Sequence, residues 1–321
     1  MNLTLRKQYG RHYFLVLLPV LAVLVPVAGN VFAATCPEGD AAALEWLDKM
    51  AHSAREVDYQ GVVTLQRGQE MKVVQVSHSV EDGSSREVLT ELTGRGAQVQ
   101  RAHHPLDCTH PGLQLLHASP VDDSCGIAQQ YRFEIAEGER VAGRKAITIR
   151  AKPRDLYRFG YVFSLDEATG LLLKVLTLNP AQRTLEVMQF AQLSYDAPVA
   201  GSAVADITHD ALHRGLSKAQ PDTALKRAWS LMWVPDGFTA TEYSVGASRR
   251  KTYTDGLAAF SVFLETLDQD MPPGEGHVKQ GGTTTYTRGM RLADSPVLVT
   301  VICEVPLPTA RMVADSVMWV R

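Results

Sequence analysis

Apolar residues recur at helical spacing over Leu44, Leu47, Met50, Ala51, Ala54 and Val57, which predicts an amphipathic helix running to Val57 from about Asp40, a residue type suited to an N-cap. Such a helix carries one apolar stripe and needs a surface to cover. Beyond it the period falls from 3.6 to 2. Runs rich in Val, Ile, Thr and aromatic residues at 59–66, 72–79, 86–92, 131–136, 142–151, 158–166, 171–179 and 184–193 predict strands separated by turn clusters.

Within this series Tyr157, Phe159, Tyr161, Phe163 and Leu165 alternate strictly, which predicts one aromatic face on a strand, with Arg158, Gly160 and Val162 on the other. Asp166-Glu167-Ala168-Thr169-Gly170 then reads as a short hairpin loop with Gly170 left-handed. Strands joined this tightly make an antiparallel meander. With one apolar face and a preceding amphipathic helix, the sheet is expected to curl around the helix as an open half-barrel and to leave a cavity.

From 197 to about 222 the chain turns to Ala, Gly, Ser, Asp and His without sustained periodicity, as expected of an interdomain linker. A smaller α+β unit follows, with strands expected at 230–234 and 297–305, a turn at Pro235-Asp236-Gly237, an apolar run at 257–267, and a closing helix whose first turn holds Pro308. The expected organisation is 34–198 for the first domain, 199–222 for the linker and 223–321 for the second domain.

The leader sets the compartment. Arg6, Lys7 and Arg11 precede a Pro-interrupted apolar stretch at 13–27 that ends in Val31-Phe32-Ala33, the pattern of a secretory signal peptide occupying 1–33. Thr35 before Cys36 stands where a lipid-attachment motif needs a small residue, so a lipid anchor is not expected. No later segment is long and apolar enough to span a bilayer. Removal of the leader leaves 29 basic against 35 acidic side chains, so the net charge moves from −3 to −6. That balance disfavours nucleic acid, whose binding requires neutralised phosphates.

His103, His104, Cys108, His110, His117 and Cys125 are residue types that zinc accepts, but their spacing matches no standard zinc motif. An oxidising compartment favours a Cys108–Cys125 disulfide over a metal site or free thiols. Cys303 shares one strand face with Val299 and Val301 and is expected to be a buried, inert thiol. For catalysis, the chain holds no nucleophile elbow, zincin helix, phosphate loop or Cys-x-x-Cys pair, and Ser248-Arg249-Arg250-Lys251 matches Ser-x-x-Lys by letter alone. Neither an enzyme, nor a cofactor, nor a metal site is expected.

Specific strings go further. Val141-Ala142-Gly143-Arg144, Pro153-Arg154-Asp155-Leu156-Tyr157-Arg158-Phe159-Gly160-Tyr161 and the run from Leu165 to Lys174 resemble the RseB/MucB family of periplasmic sigma-E regulators. So do Trp233-Val234-Pro235-Asp236-Gly237-Phe238 and the run from Tyr253 to Phe263, and the resemblance extends in order along the mature chain, with Cys303 as a departure where the family usually has glycine. The histidine-rich 108–125 segment looks like the MucB branch.

The resemblance implies an amino-terminal domain similar to LolA and LolB, a smaller carboxy-terminal domain, and residence in the periplasm. It implies binding to the periplasmic part of an RseA- or MucA-type anti-sigma factor, protection of that factor from regulated proteolysis, and release by lipopolysaccharide or another acyl lipid. It leaves a homodimer open. A lipid or lipoprotein carrier is the alternative reading of the half-barrel. The candidate contact residues for lipid or partner are Trp46 and Met50 on the helix, Tyr157, Phe159, Tyr161 and Phe163 on the aromatic run, and Trp229, Trp233 and Phe238 in the second domain.

Overall fold

Helical spacing near the start of the mature chain becomes helix α1 (Glu38–Glu56), which buries Ala43, Leu44, Leu47 and Ala51 along one stripe. It starts two residues before the expected position, so Asp40 lies in its first turn rather than capping it. The computed structural model describes residues 38–94, 98–105, 126–196, 206–208, 228–241, 249–267, 274–293 and 295–320. The leader, Cys36, Cys108, Cys125 and most of the expected linker lie outside them.

Ten strands follow the helix: β1 (Tyr59–Arg67), β2 (Glu70–Glu81), β3 (Ser84–Glu91), β4 (Gln98–Pro105), β5 (Tyr131–Glu137), β6 (Ala146–Pro153), β7 (Gly160–Asp166), β8 (Leu172–Leu178), β9 (Thr184–Ser194) and β10 (Asp206–Thr208). They form one sheet in the order β10-β4-β3-β2-β1-β9-β8-β7-β6-β5. Two antiparallel meanders, β1 to β4 and β5 to β9, are therefore joined by the pairing of β9 with β1. Strand β10 runs parallel to β4, an exception to the expected antiparallel meander.

Register shifts at Val62/Val63, Ser85/Glu87, Ser164/Leu165 and Thr177/Leu178 break the ladders. Such irregularities increase local twist and bend, which lets a long sheet curl. The two outer strands do not pair with each other, so the half-barrel stays open. Against its inner side, Ala43, Leu44, Leu47 and Ala51 of α1 share a core with Tyr131, Phe133, Ile149, Tyr161, Phe163 and Leu165. Each large apolar side chain buried there is worth about 1.5–3 kcal/mol.

A second sheet has the order β12-β13-β14-β17-β16-β15, from β12 (Thr239–Ala240), β13 (Arg250–Thr254), β14 (Ala259–Thr266), β15 (Gly274–Gln280), β16 (Thr283–Leu292) and β17 (Ser295–Cys303). A separate ribbon pairs β11 (Trp229–Leu231) with β18 (Val317–Trp319). Helix α2 (Leu307–Asp315) carries Pro308 in its first turn, as expected, and contributes Ala310, Val313 and Ala314 to the core that also holds Val262, Leu264, Val297, Val299 and Val301. Cys303 is a free, buried thiol in this core, pushed up to about 11 by burial, and its S–H lies 3.4 Å from the Thr284 carbonyl. The described residues pack as one compact unit containing both sheets. Among the described residues no helix is long and apolar enough to cross a membrane.

Candidate functional site: a charged junction between the two sheets

Three sequence strings that are far apart along the chain meet where the two sheets touch: Pro153 to Tyr161, Trp233 to Phe238 and Tyr253 to Phe263. The first forms the connection from β6 to β7. Its Arg154 is anchored from below, because Nε donates to the carbonyls of Ala128 and Tyr131 at 3.0 and 3.1 Å and its N–H donates to Gln130. Asp155 then makes an Asx turn, accepting the Tyr157 N–H at 2.9 Å. This turn aims Arg158 out of the first sheet and into the second.

Arg158 is fully buried. Its Nε donates to both oxygens of Asp155, its Nη1 donates to Oδ2 of Asp255 at 2.7 Å, and its Nη2 donates to the Asp236 carbonyl. The guanidinium also lies 5.1 Å from the ring centre of Phe238 and 5.6 Å from that of Tyr131. A planar fork of five donors suits this set of acceptors and rings better than an ammonium would. The Asp255 carboxylate is equally committed: Oδ1 accepts the N–H groups of Leu257 and Ala258 at 3.0 and 2.8 Å, and Oδ2 accepts the Tyr131 hydroxyl at 3.2 Å.

Burial pushes the Asp255 carboxyl above the ordinary aspartate value, and these donors offset only part of that rise. Tyr131 is pushed well above the ordinary tyrosine range, first by burial and then by the Asp255 charge, so it stays a neutral donor. Around the ion pair, Tyr157 meets Trp233 edge to face with ring centres 5.2 Å apart. Gly237 has a φ of +85°, and a Cβ there would sit 2.5 Å from Cδ of the Gln130 side chain, so any other residue would have to hold a left-handed backbone and displace Gln130.

A second contact lies at the β15–β16 turn. Glu186 on β9 accepts the Gly282 N–H at 3.2 Å and pairs with Arg67 on β1 at 3.1 Å, while Gln280 donates to Glu70 at 2.7 Å. A Cβ on Gly281 would lie 3.3 Å from that of Arg67. The two sheets thus touch through polar, directional contacts at two places.

The loop at 166–170 makes a different arrangement beside α1. Gly170 has a φ of +83°, as its position in the hairpin predicts, and Lys49 and Ser53 of α1 donate to the loop carbonyls of Glu167, Ala168 and Thr169. Asp166 accepts from Arg144 and from the Tyr195 hydroxyl. An open depression of about 520 Å³ is lined here by Arg140, Gly143, Arg144, Lys145, Asp166, Glu167 and Ala168. Its lining carries three basic and two acidic side chains and it lies beside α1 rather than under it, while the α1 stripe is packed against side chains of the sheet.

Models of the MucB/RseB N-terminal and C-terminal domains match residues 42–208 and 223–318. The chain belongs to the MucB/RseB family. It is 34% identical to the sigma factor AlgU regulatory protein MucB of Pseudomonas aeruginosa, over 92% of this chain and 96% of that protein. It superimposes on MucB in complex with MucA(peri) with a TM-score of 0.67 at 33% identity, covering 86% of this chain and 98% of the other. On a crystal structure of MucB the TM-score is 0.60 at 31% identity, covering 87% and 98%.

In this MucB/RseB chain the residues picked from the sequence divide between core and junction. Phe159, Tyr161 and Phe163 are buried beneath α1, and Trp46 and Met50 are partly buried against the same core. Trp229 and Phe238 are buried in the core of the second sheet, with Trp233 packed against it. Tyr157 and Trp233 touch each other across the junction, where Phe238 also meets the Arg158 guanidinium and Phe159 the Lys279 ammonium. The expectation that Arg158 shares a strand face with Gly160 and Val162 is corrected, because β7 begins at Gly160 and Arg158 belongs to the turn before it. Sequence reasoning passed over Arg158, Asp155, Asp236 and Asp255 as site residues. Their available signal was an arginine inside an aromatic run, together with two Asp-Gly pairs in strings that already carried the resemblance.

Proposed function

We propose that this chain is a periplasmic regulator of a sigma-E-type stress response, which holds the periplasmic segment of a membrane-embedded anti-sigma factor, shields it from proteolysis and releases it when an acyl lipid or lipopolysaccharide binds. The observation that carries the reading is the likeness, over nearly the whole mature chain, to MucB in complex with MucA(peri). The role is binding rather than catalysis, in keeping with a junction whose charged groups are occupied by one another. If lipid prefers the free protein, it must weaken partner binding, and the partner must weaken lipid binding by the same factor.

The test uses the mature chain and the periplasmic segment of its cognate anti-sigma factor, titrated with and without lipopolysaccharide. Submicromolar binding that weakens with lipopolysaccharide is the expected result. Lipid binding without any binding of the segment would replace the regulator with a lipid carrier.

A further inference from the structure

The junction is built around one side chain supplied by the first sheet and received by the second. Arg158 comes from the β6–β7 connection, and most of what receives it comes from elsewhere in the chain: the Asp255 carboxylate, the Asp236 carbonyl and the Phe238 ring. Asp155 holds the guanidinium from its own turn, so the fork is oriented before it reaches across. Tyr131, on β5 of the first sheet, donates to the same oxygen of Asp255 that accepts from Arg158. Every one of these directions is satisfied only when the two sheets sit as they do here. A shift of the second sheet would leave a buried carboxylate and a buried guanidinium without their shared partners, which is costly for both.

We propose that Arg158 is a positioning residue: as an electrostatic latch it holds the two sheets in the arrangement that binds the anti-sigma segment, and opening the latch lowers that affinity. This rests on the regulator reading above and adds the element through which binding is controlled. The latch gives the chain two states that differ in defined contacts. A ligand that favours the open state would act on the partner without touching it.

Three forms of the mature chain are compared: the parent, Arg158→Met, and Arg158→Met carrying Arg67→Cys and Gly281→Cys. The last pair bridges the sheets at the second contact, where the two Cβ positions stand 3.3 Å apart and need only a few tenths of an ångström more for a disulfide, whose formation is verified by peptide mass mapping before affinity is read. Small-angle scattering reads the arrangement of the sheets, circular dichroism reads their integrity, and titration with the anti-sigma segment reads affinity. The expected result is a larger radius of gyration for Arg158→Met with unchanged dichroism, and binding weakened roughly five- to 150-fold. Oxidising the cysteine pair should restore compactness and affinity, and reduction should remove both, with Arg158→Met alone passed through the same redox steps as the control.

Unchanged scattering and affinity in Arg158→Met would overturn the latch. So would weakened binding that the crosslink fails to restore, since Arg158 would then act by direct contact. If Arg158→Met does not fold, Asp255→Asn opens the same pair from the other side and is read in the same way. If the parent itself does not bind the segment, the regulator reading falls and takes the binding role of the latch with it, while scattering still decides whether Arg158 holds the sheets together.

Discussion

Replacing Gly170 with alanine tests how closely the 166–170 loop is seated on α1. Two costs apply. A residue with a Cβ at a φ of +83° costs about 1–2 kcal/mol relative to its preferred backbone, offset by about 0.4–1 kcal/mol from the stiffer unfolded chain. The second cost is contact: the new Cβ would stand 2.6 Å from Cγ of Lys49 and 3.2 Å from Oγ of Ser53, so both must move while their bonds to the loop carbonyls are kept or lost. Overpacking of this kind costs about 1–3 kcal/mol. Gly143 supplies the control, since its φ is +78° and a Cβ there meets nothing within 4 Å. In urea denaturation, Gly170→Ala should therefore lose about 1–3 kcal/mol more than Gly143→Ala, with an unchanged slope. Introducing Gly170→Ala into a Lys49→Ala background should recover part of the difference. Equal losses at Gly170 and Gly143 would refute the close seating of the loop on the helix.

Two further predictions concern titratable groups. Burial works against the ionised form of Asp166, but the bonds from Tyr195 and Arg144 outweigh it and hold the carboxyl below its ordinary value of 3.8. The resulting stabilisation is present above that value and lost as pH falls through the lower folded-state value, so Asp166→Asn should be less stable at neutral pH and show a flatter acid limb below about pH 4 in thermal melts. Cys303, 1% exposed and with its thiol pushed up to about 11 by burial, should resist a thiol reagent in the native protein and react on unfolding; rapid native labelling at this position, read by peptide mass mapping, would contradict its placement.

What the sequence made legible follows from how residues are buried. Helix α1 and the strands of the two meanders other than β4 were visible because apolar residues recur along them with a period that is local information, whereas β4, Gln98–Pro105, carries only Val99 and Ala102 among polar residues and was missed. Strand β15 was missed because all seven of its residues are exposed, which leaves no alternation to see. Strand β16 was missed for the opposite reason, as Thr284 and Gly289 occupy buried positions and blur the apolar period. The pairing of β9 with β1, which turns two meanders into one sheet, joins residues more than a hundred apart and has no local signature. Arg158 was misplaced because alternation was carried two residues beyond the true strand; no periodicity marks a charge that is buried by a distant part of the chain.

The chemistry of the junction suits a reversible joint more than a permanent one. A buried ion pair is a poor source of net stability, because desolvation consumes most of the attraction, yet removing one partner alone costs about 3–5 kcal/mol. Such a pair therefore penalises wrong arrangements more than it strengthens the right one. Apolar contact accompanies it, with Leu257 packed on the core of the first sheet and Tyr157 against Trp233, while Leu156 and Met232 remain 76% and 75% exposed. A joint held chiefly by hydrophobic area would tolerate sliding, since that force is non-directional. Here the fork of Arg158, fixed by Asp155 and received by Asp255 and the Asp236 carbonyl, selects one orientation. A ligand could shift such a joint only by its differential affinity for the two arrangements.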